Sequence, residues 1–354
     1  MGGHPLAWVM EARRRDGEVV VVGHARQEFH DSRGYGRPLE GNEIALAPVE
    51  AAHLLYRGDL DAVDGMDFAA FLDAIEDGDG DADGAAARFL AYADLRSRGF
   101  YLAPEREGWV ADPHGGADFA VYERGEDPRG GAIAHHVRAI GERAAVPAPT
   151  LGDVTLAVAD EEGSVTYLDT DRQGIDGATE YAPPQVEGAL LADRVLVSDP
   201  PASLYESGFY GQPVGGREEA TTLQLSLVEA AALARRGSLT VSGGASAIKE
   251  RGRVVEGERF DRRLAVYESL RGDGVVPKTG FKFGADFRTY AEVTAVSELG
   301  HSEALVWVLR PDHVFEPRDL ALYVRLAGGV RKRAAFALTD GDGIEWVSVG
   351  RLTP

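Results

Sequence analysis

The 354-residue sequence contains no cysteine. That excludes disulfides, a thiol nucleophile, and zinc or iron–sulfur centres held by thiolates. Lysine is scarce as well: Lys249, Lys278, Lys282 and Lys332 are the only four among 37 basic residues. No run approaches the roughly 20 apolar residues that a membrane helix needs. Met1 to Asp16 has no apolar run followed by a small-residue cleavage site. These absences predict a soluble, cytoplasmic protein with no membrane partner. What the sequence has in excess is acid. There are 58 Asp and Glu against 37 Lys and Arg, a net charge of −21. An acidic, lysine-poor chain rich in Gly and Ala reads as a protein of a salt-loving organism. Surface carboxylates hold water in molar salt, where a Debye length of about 3 Å weakens their repulsion. Acidity that reflects the solvent does not exclude a nucleic acid partner. A hydrophobic fraction of 44% is ample for a core, and the length predicts two or three domains.

The chain repeats itself. Asp31-Ser32-Arg33-Gly34-Tyr35-Gly36-Arg37-Pro38 returns as Glu206-Ser207-Gly208-Phe209-Tyr210-Gly211-Gln212-Pro213. Val49-Glu50-Ala51-Ala52 returns as Val228-Glu229-Ala230-Ala231, and Leu95-Arg96 as Leu270-Arg271. Ala117-Asp118-Phe119 with Tyr122 returns as Ala285-Asp286-Phe287 with Tyr290, and Asp160-Glu161-Glu162-Gly163 as Asp340-Gly341-Asp342-Gly343. The matches keep one order and an offset of about 175 residues, which is a tandem duplication. The join falls in residues 170–188, where Asp, Gly and Pro183-Pro184 interrupt both periodicities. The units are therefore residues 1–180 and 188–354, the second divided into 188–255 and a catalytic part, 256–354. A soft acidic stretch, Glu76 to Gly84, reads as a solvated loop.

Each unit shows the same order of elements. Val19–Val22 and Val195–Val197 read as strands, and Ala47–Tyr56 and Leu227–Arg236 as helices stopped by Arg-Gly. Phe89–Arg98 and Asp261–Leu270 read as amphipathic helices. Strands follow at 117–122, 154–159 and 165–168 in the first unit. In the second they fall at 286–290, 305–309, 334–338 and 344–349, with a helix from Pro317 to about Val330. The expected fold is mixed α/β (α+β), two tandem repeats. Each is a small α/β N-terminal subdomain followed by a nuclease-like mixed sheet flanked by helices.

Only the second unit carries a full set of reactive groups. Lys278 to Tyr290 contains Gly284-Ala285-Asp286-Phe287-Arg288 and ends on Tyr290; His301-Ser302-Glu303 follows; Arg325 to Lys332 closes the series. These three segments resemble, in order and spacing, the catalytic part of the archaeal tRNA-splicing endonucleases, the tRNA-intron endonucleases. The tandem architecture extends the resemblance to the whole chain. The resemblance implies excision of introns from precursor tRNA at a bulge–helix–bulge, without metal or other cofactor, leaving a 2′,3′-cyclic phosphate and a 5′-hydroxyl. It implies Tyr290 as base, His301 as acid and Lys332 as the cation for the phosphorane. Elementary chemistry agrees on two of the three: imidazole titrates near neutrality, and lysine supplies a fixed charge. A phenol near pKa 10 needs a neighbouring cation to act as base, for which Lys332 and Arg331 are candidates.

In the first unit Tyr122 stands where Tyr290 stands, and His135 and His136 fall near the expected histidine. The duplication, however, puts Gly152 in place of Lys332 and Ala145 in place of Arg325. The first unit is expected to be structural. The resemblance further implies that Arg325 pinches a bulged base, with Trp346 near the second stacking position. It also implies that the acidic turn Asp160-Glu161-Glu162 docks on a partner unit in a homodimer. Apolar packing between exposed C-terminal strands is expected to back that contact. A non-catalytic structural subunit of an RNA-processing complex is the alternative, and the intact Tyr290, His301 and Lys332 count against it.

Overall fold

The computed structural model describes residues 11–79, 84–216 and 221–354. In the first unit the β-branched run forms β2 (Glu18–Val21), flanked by β1 (Ala12–Arg15) and β4 (Ile44–Leu46), with β3 (Arg37–Pro38) on the far side of β4. Pro48 opens α1 (Pro48–Arg57), and Gly58 closes it in the left-handed conformation at φ 72°. Next come α2 (Phe68–Asp79) and α3 (Gly84–Ser97). The expected loop at 76–84 is therefore corrected: residues 76–79 are helical, and 80–83 lie outside the described residues. Phe68, Phe71, Leu72 and Ile75 share one helical face packed on the core, and that face carries the helix into the acidic tail. The unit ends with β5 (Leu102–Pro104), β6 (Phe119–Tyr122), β7 (Ile133–Gly141), β8 (Val146–Pro147), β9 (Thr155–Ala159) and β10 (Val165–Asp171).

The second unit repeats this plan. Short strands β11 (Val186–Glu187) and β12 (Ala189–Leu190) lead into β13 (Arg194–Ser198), α4 (Ala202–Glu206), β14 (Gln212–Pro213) and β15 (Thr222–Ser226). Then come α5 (Leu227–Arg235), β16 (Leu239–Thr240), α6 (Gly244–Glu256) and α7 (Arg259–Gly272). The last part holds β17 (Val276–Thr279), β18 (Phe287–Tyr290), β19 (Ala304–Leu309), β20 (Val314–Phe315), α8 (Pro317–Gly329), β21 (Arg333–Leu338) and β22 (Glu345–Leu352). The repeated Tyr and Arg motifs meet in both units. The Arg96 guanidinium carbon lies 4.2 Å from the Tyr35 ring centroid, and that of Arg271 lies 3.9 Å from Tyr210.

The two units do not remain separate sheets. One ten-stranded sheet runs β17-β18-β19-β21-β22-β10-β9-β7-β6-β5, the same pattern read from either end. Its seam is the antiparallel pair β22–β10, in register from Tyr167↔Leu352 to Asp171↔Ser348. The C-terminal strand is thus central and paired on both sides, so the expected dimer contact between exposed C-terminal strands is overturned. One face of the sheet carries an apolar core shared by both units, including Leu168, Leu305, Phe336 and Val349 under α8. The other face carries a separate core for each unit. Across the seam β8 pairs with β20. Beyond β8 the first unit has only a short turn, Ala148–Thr150, where the second has α8.

Candidate active site

β18 runs antiparallel to β19, and β19 runs parallel to β21. The C-terminal end of β18 therefore meets the N-terminal ends of β19 and β21 at one edge of the sheet. The row Thr289↔Ala304↔Arg333 fixes their level. Tyr290 is the last residue of β18, His301 stands three residues before β19, and Lys332 immediately precedes β21. Two backbone bonds lock the edge: Glu303 N–H donates to the Thr289 carbonyl and Arg333 N–H to the Glu303 carbonyl, both at 2.9 Å. All three residues expected from the sequence stand at this one edge.

Each is held differently. The Lys332 ammonium donates to the Ser302 carbonyl at 2.8 Å, beside His301. Tyr290 is 5% exposed and packs with Phe209, Val276 and Val293. Its ring meets Phe209 edge-on at 5.6 Å, and the Arg288 guanidinium carbon also lies 5.6 Å from the ring. Arg288, rather than Arg331, is the cation the structure places against the phenol ring. His301 is exposed.

The end of α8 sets Lys332. Lys332 N–H donates to the Ala327 carbonyl at 2.8 Å and Arg331 N–H to that of Gly328 at 3.0 Å. This pair is a Schellman closure, with Arg331 in the left-handed position at φ 56°. Glycine is the usual occupant there, so an arginine is strained by about 1 kcal/mol.

Beside Lys332 a cleft of about 640 Å³ opens over the seam, rimmed by Arg325 and Arg351 and floored by Leu168, Val324 and Val349. In a net-acidic molecule this concentrates positive charge next to the reactive groups. Trp346 is not in it. It pairs with Ala337 on β21 and packs against the other face of the sheet. Side chains alternate along a strand, so Val347, Val349 and Arg351 share the α8 face while Trp346 does not. Arg351 went unnoticed in the sequence; the alternation of Val347 and Val349 was the signal that placed it.

The register confirms why the first unit lacks a matching set. Phe119↔Val137↔Thr155 corresponds to Phe287↔Val306↔Ala335, which puts Gly152 where Lys332 stands. The expectation for the histidines is corrected. His135 and His136 lie inside β7, opposite Val121 and Ala120, and Ala132 occupies the position of His301. His136 Nδ1 instead meets the fully buried carboxylate of Glu105. Burial, then Glu105 and Asp127, raises the Tyr122 phenol, so it ionises less readily than an ordinary tyrosine. Ala145 is not a true counterpart of Arg325, because the first unit has no helix there. In the acidic turn, the Asp160 carboxylate accepts Glu162 N–H at 3.0 Å and Ser164 N–H at 2.9 Å. Glu161 pairs with Arg143 at 2.8 Å, and Glu162 is exposed.

A phenol, an imidazole and an ammonium on one edge, next to an arginine-rimmed cleft, are the kinds of group that acid–base chemistry on a polyanion requires. Comparison with known proteins names the family. Residues 260–346 match the tRNA intron endonuclease catalytic C-terminal domain, and residues 10–72 and 186–251 each match the N-terminal domain of the same family. The chain is 59% identical to a tRNA-splicing endonuclease of Haloarcula marismortui, over 96% of this chain and 98% of the relative. It is 58% identical to one of Natronomonas pharaonis, over 98% and 100%. It is 33% identical to one of Methanococcoides burtonii, over 94% and 97%. The chain belongs to the tRNA intron endonuclease family. Two of these relatives come from salt-loving archaea, in keeping with the acidic, lysine-poor composition.

Proposed function

We propose that the protein excises introns from precursor tRNA at bulge–helix–bulge motifs by transesterification. Tyr290 takes the proton of the 2′-hydroxyl, whose oxygen attacks the adjacent phosphorus. His301 protonates the departing 5′-oxygen, and Lys332 stabilises the charge on the phosphorane. The P–O5′ bond breaks as the 2′-O–P bond forms, leaving a 2′,3′-cyclic phosphate and a 5′-hydroxyl. The observation that carries this reading is the Lys332 ammonium held on the Ser302 carbonyl beside His301, on the edge where β18 ends in Tyr290. Arg325 and Arg351, rimming one cleft, are suited to stack on and neutralise the bulged strand.

The test is cleavage of intron-containing precursor tRNA in molar salt with a chelator present. Tyr290→Phe, His301→Ala and Lys332→Ala should each lower kcat by about 10²–10³ while RNA binding survives, because these groups act on charge that develops in the transition state. Wild-type rates in any of them would remove that residue from the mechanism. Loss of cleavage in the chelator would point to a metal-dependent reaction instead.

One complete site per chain and two scissile bonds per intron call for two chains. We therefore propose a C2 homodimer, twice the 37.9 kDa chain. In it the first unit's acidic turn, with Glu162 exposed, meets a cleft of the partner where Arg194 and Arg263 are paired with Asp193 and Glu256 and Arg288 has no carboxylate partner among the described residues. Arg288 Nε is buried there without a partner among the described residues. Light scattering in molar salt should give about 76 kDa. A monomer that cuts both splice sites with undiminished activity would sink the dimer.

A further inference from the structure

Residues 172–185 join the two units, and Gly174, Asp176, Gly177 and Pro183-Pro184 break any helix or strand period there. The structure shows them bound along the catalytic edge. Arg333, next to Lys332, donates through Nη2 to the Gly174 carbonyl at 2.9 Å. Ile175 is buried in the second unit's core. Gly177 N–H donates to the Asp273 carbonyl at 2.9 Å, Ala178 N–H to that of Ala291 at 2.7 Å, and Thr179 N–H to that of Gly274 at 2.9 Å. The Thr179 hydroxyl oxygen accepts the N–H of Val293 at 2.9 Å. Ala291 directly follows Tyr290, and Val293 packs in the same apolar cluster as the Tyr290 ring. The approach is close: a Cβ on Gly177 would lie 2.4 Å from the Gly274 carbonyl oxygen and 2.6 Å from that of Ala291.

The first unit offers the comparison. There the loop after Tyr122 closes on itself, Glu123 N–H donating to the Ala132 carbonyl at 3.0 Å. In the second unit the corresponding residue, Ala291, is bonded by the segment from outside.

We propose that residues 174–179 are a strap that positions the catalytic edge. Thr179 and Ala178 hold the loop leaving Tyr290, and Gly174 holds Arg333 beside Lys332. The covalent fusion of the two units then contributes to catalysis as well as joining them. This inference rests on the assignment of Tyr290 and Lys332 made above.

Thr179→Val keeps the side-chain shape and removes the acceptor, whereas Thr179→Ser keeps the acceptor. Both are compared with wild type and with Tyr290→Phe for precursor-tRNA cleavage in molar salt, with KM and thermal midpoint measured alongside. Displacing a catalytic group by a fraction of an ångström should lower kcat of Thr179→Val about tenfold, with KM and midpoint near wild type. Thr179→Ser should restore the rate. The strap is overturned if Thr179→Val cleaves at the wild-type rate, if Thr179→Ser falls as far, or if the loss follows a lowered midpoint. If Thr179→Val is normal while Tyr290→Phe is dead, only the strap fails. Full activity of Tyr290→Phe overturns the site assignment and, with it, the strap.

Discussion

Glu50 and Glu229 occupy the same place in the two units, and their surroundings treat the carboxylate in opposite ways. Both are buried and accept N–H groups from their helix N-cap and from the repeated glycine turn, Gly36 or Gly211. Burial acts to raise Glu229, but the Lys278 ammonium at 2.7 Å outweighs it and holds the carboxyl below its ordinary range. At the equivalent of Lys278 the first unit has Ala103. There burial pushes Glu50 up to about 7, against the Gly36 and Ala47 N–H groups and the more distant Arg96 and Arg106. The folded first unit therefore keeps a proton that the unfolded chain releases near pH 4.5. The stability this proton contributes is complete below pH 4.5 and is lost as the pH rises to 7. The difference in unfolding free energy between wild type and Glu50→Gln should change by on the order of 3 kcal/mol across that window. Denaturant titrations at several pH values check it, and a constant difference would contradict it. In the second unit, Lys278→Ala leaves Glu229 buried without its cation and should cost about 3–5 kcal/mol, partly recovered by adding Glu229→Gln.

A helix end places Lys332, and its strain is measurable. Arg331 sits in the left-handed position of the closure of α8. Arg331→Gly should raise unfolding free energy by about 1 kcal/mol, and Arg331→Val should lower it further than Arg331 already does. An unfolding series in which glycine gives no gain would mean that side-chain contacts compensate the backbone. The same element accounts for the missing lysine of the first unit. With a turn at Ala148–Thr150 in place of α8, there is no helix end to present a lysine, and Gly152 stands there instead. Seven of the ten strands of the large sheet were legible from the pattern, and so were five helices, including α8 with its Pro317 start and glycine-rich finish; β5, β7, β17, α2, α4 and α6 were not. The histidines were misread because spacing counts residues, whereas β7 starts earlier than its repeat counterpart and draws His135 and His136 into the ladder.

At the scale of the whole molecule, the seam makes two units one body. Leu168 and Val349 on the adjoining strands are each 1% exposed within a core shared by both units. Val349→Asp should therefore cost several kcal/mol and destabilise both units in a single transition. Two separate transitions would show that the sheet is not cooperative across β10–β22. Net charge acts on the same body. With −21 on the chain, lowering salt from molar to about 0.1 M lengthens the Debye length from about 3 to about 10 Å, and the thermal midpoint should fall. A midpoint independent of salt would remove the halophilic reading of the composition.

The sequence by itself determined the duplication, the mixed α/β repeats, the positions of Tyr290, His301 and Lys332 and the absence of a matching lysine in the first unit. Each is written in local order: motifs at one offset, apolar periods, and residue types in a fixed sequence. The tertiary structure alone decided what depends on pairing across distance. It turned the C-terminal strand from an exposed edge into the centre of one sheet. It put Trp346 and Arg325 on opposite faces and brought Arg351 to the cleft, since a strand's facing is set by its partners. It also bound the linker to the loop of Tyr290. Three backbone hydrogen bonds, with the Thr179 hydroxyl and Arg333, made that contact, and backbone groups are the same at every residue, so no sequence pattern announces where they will meet.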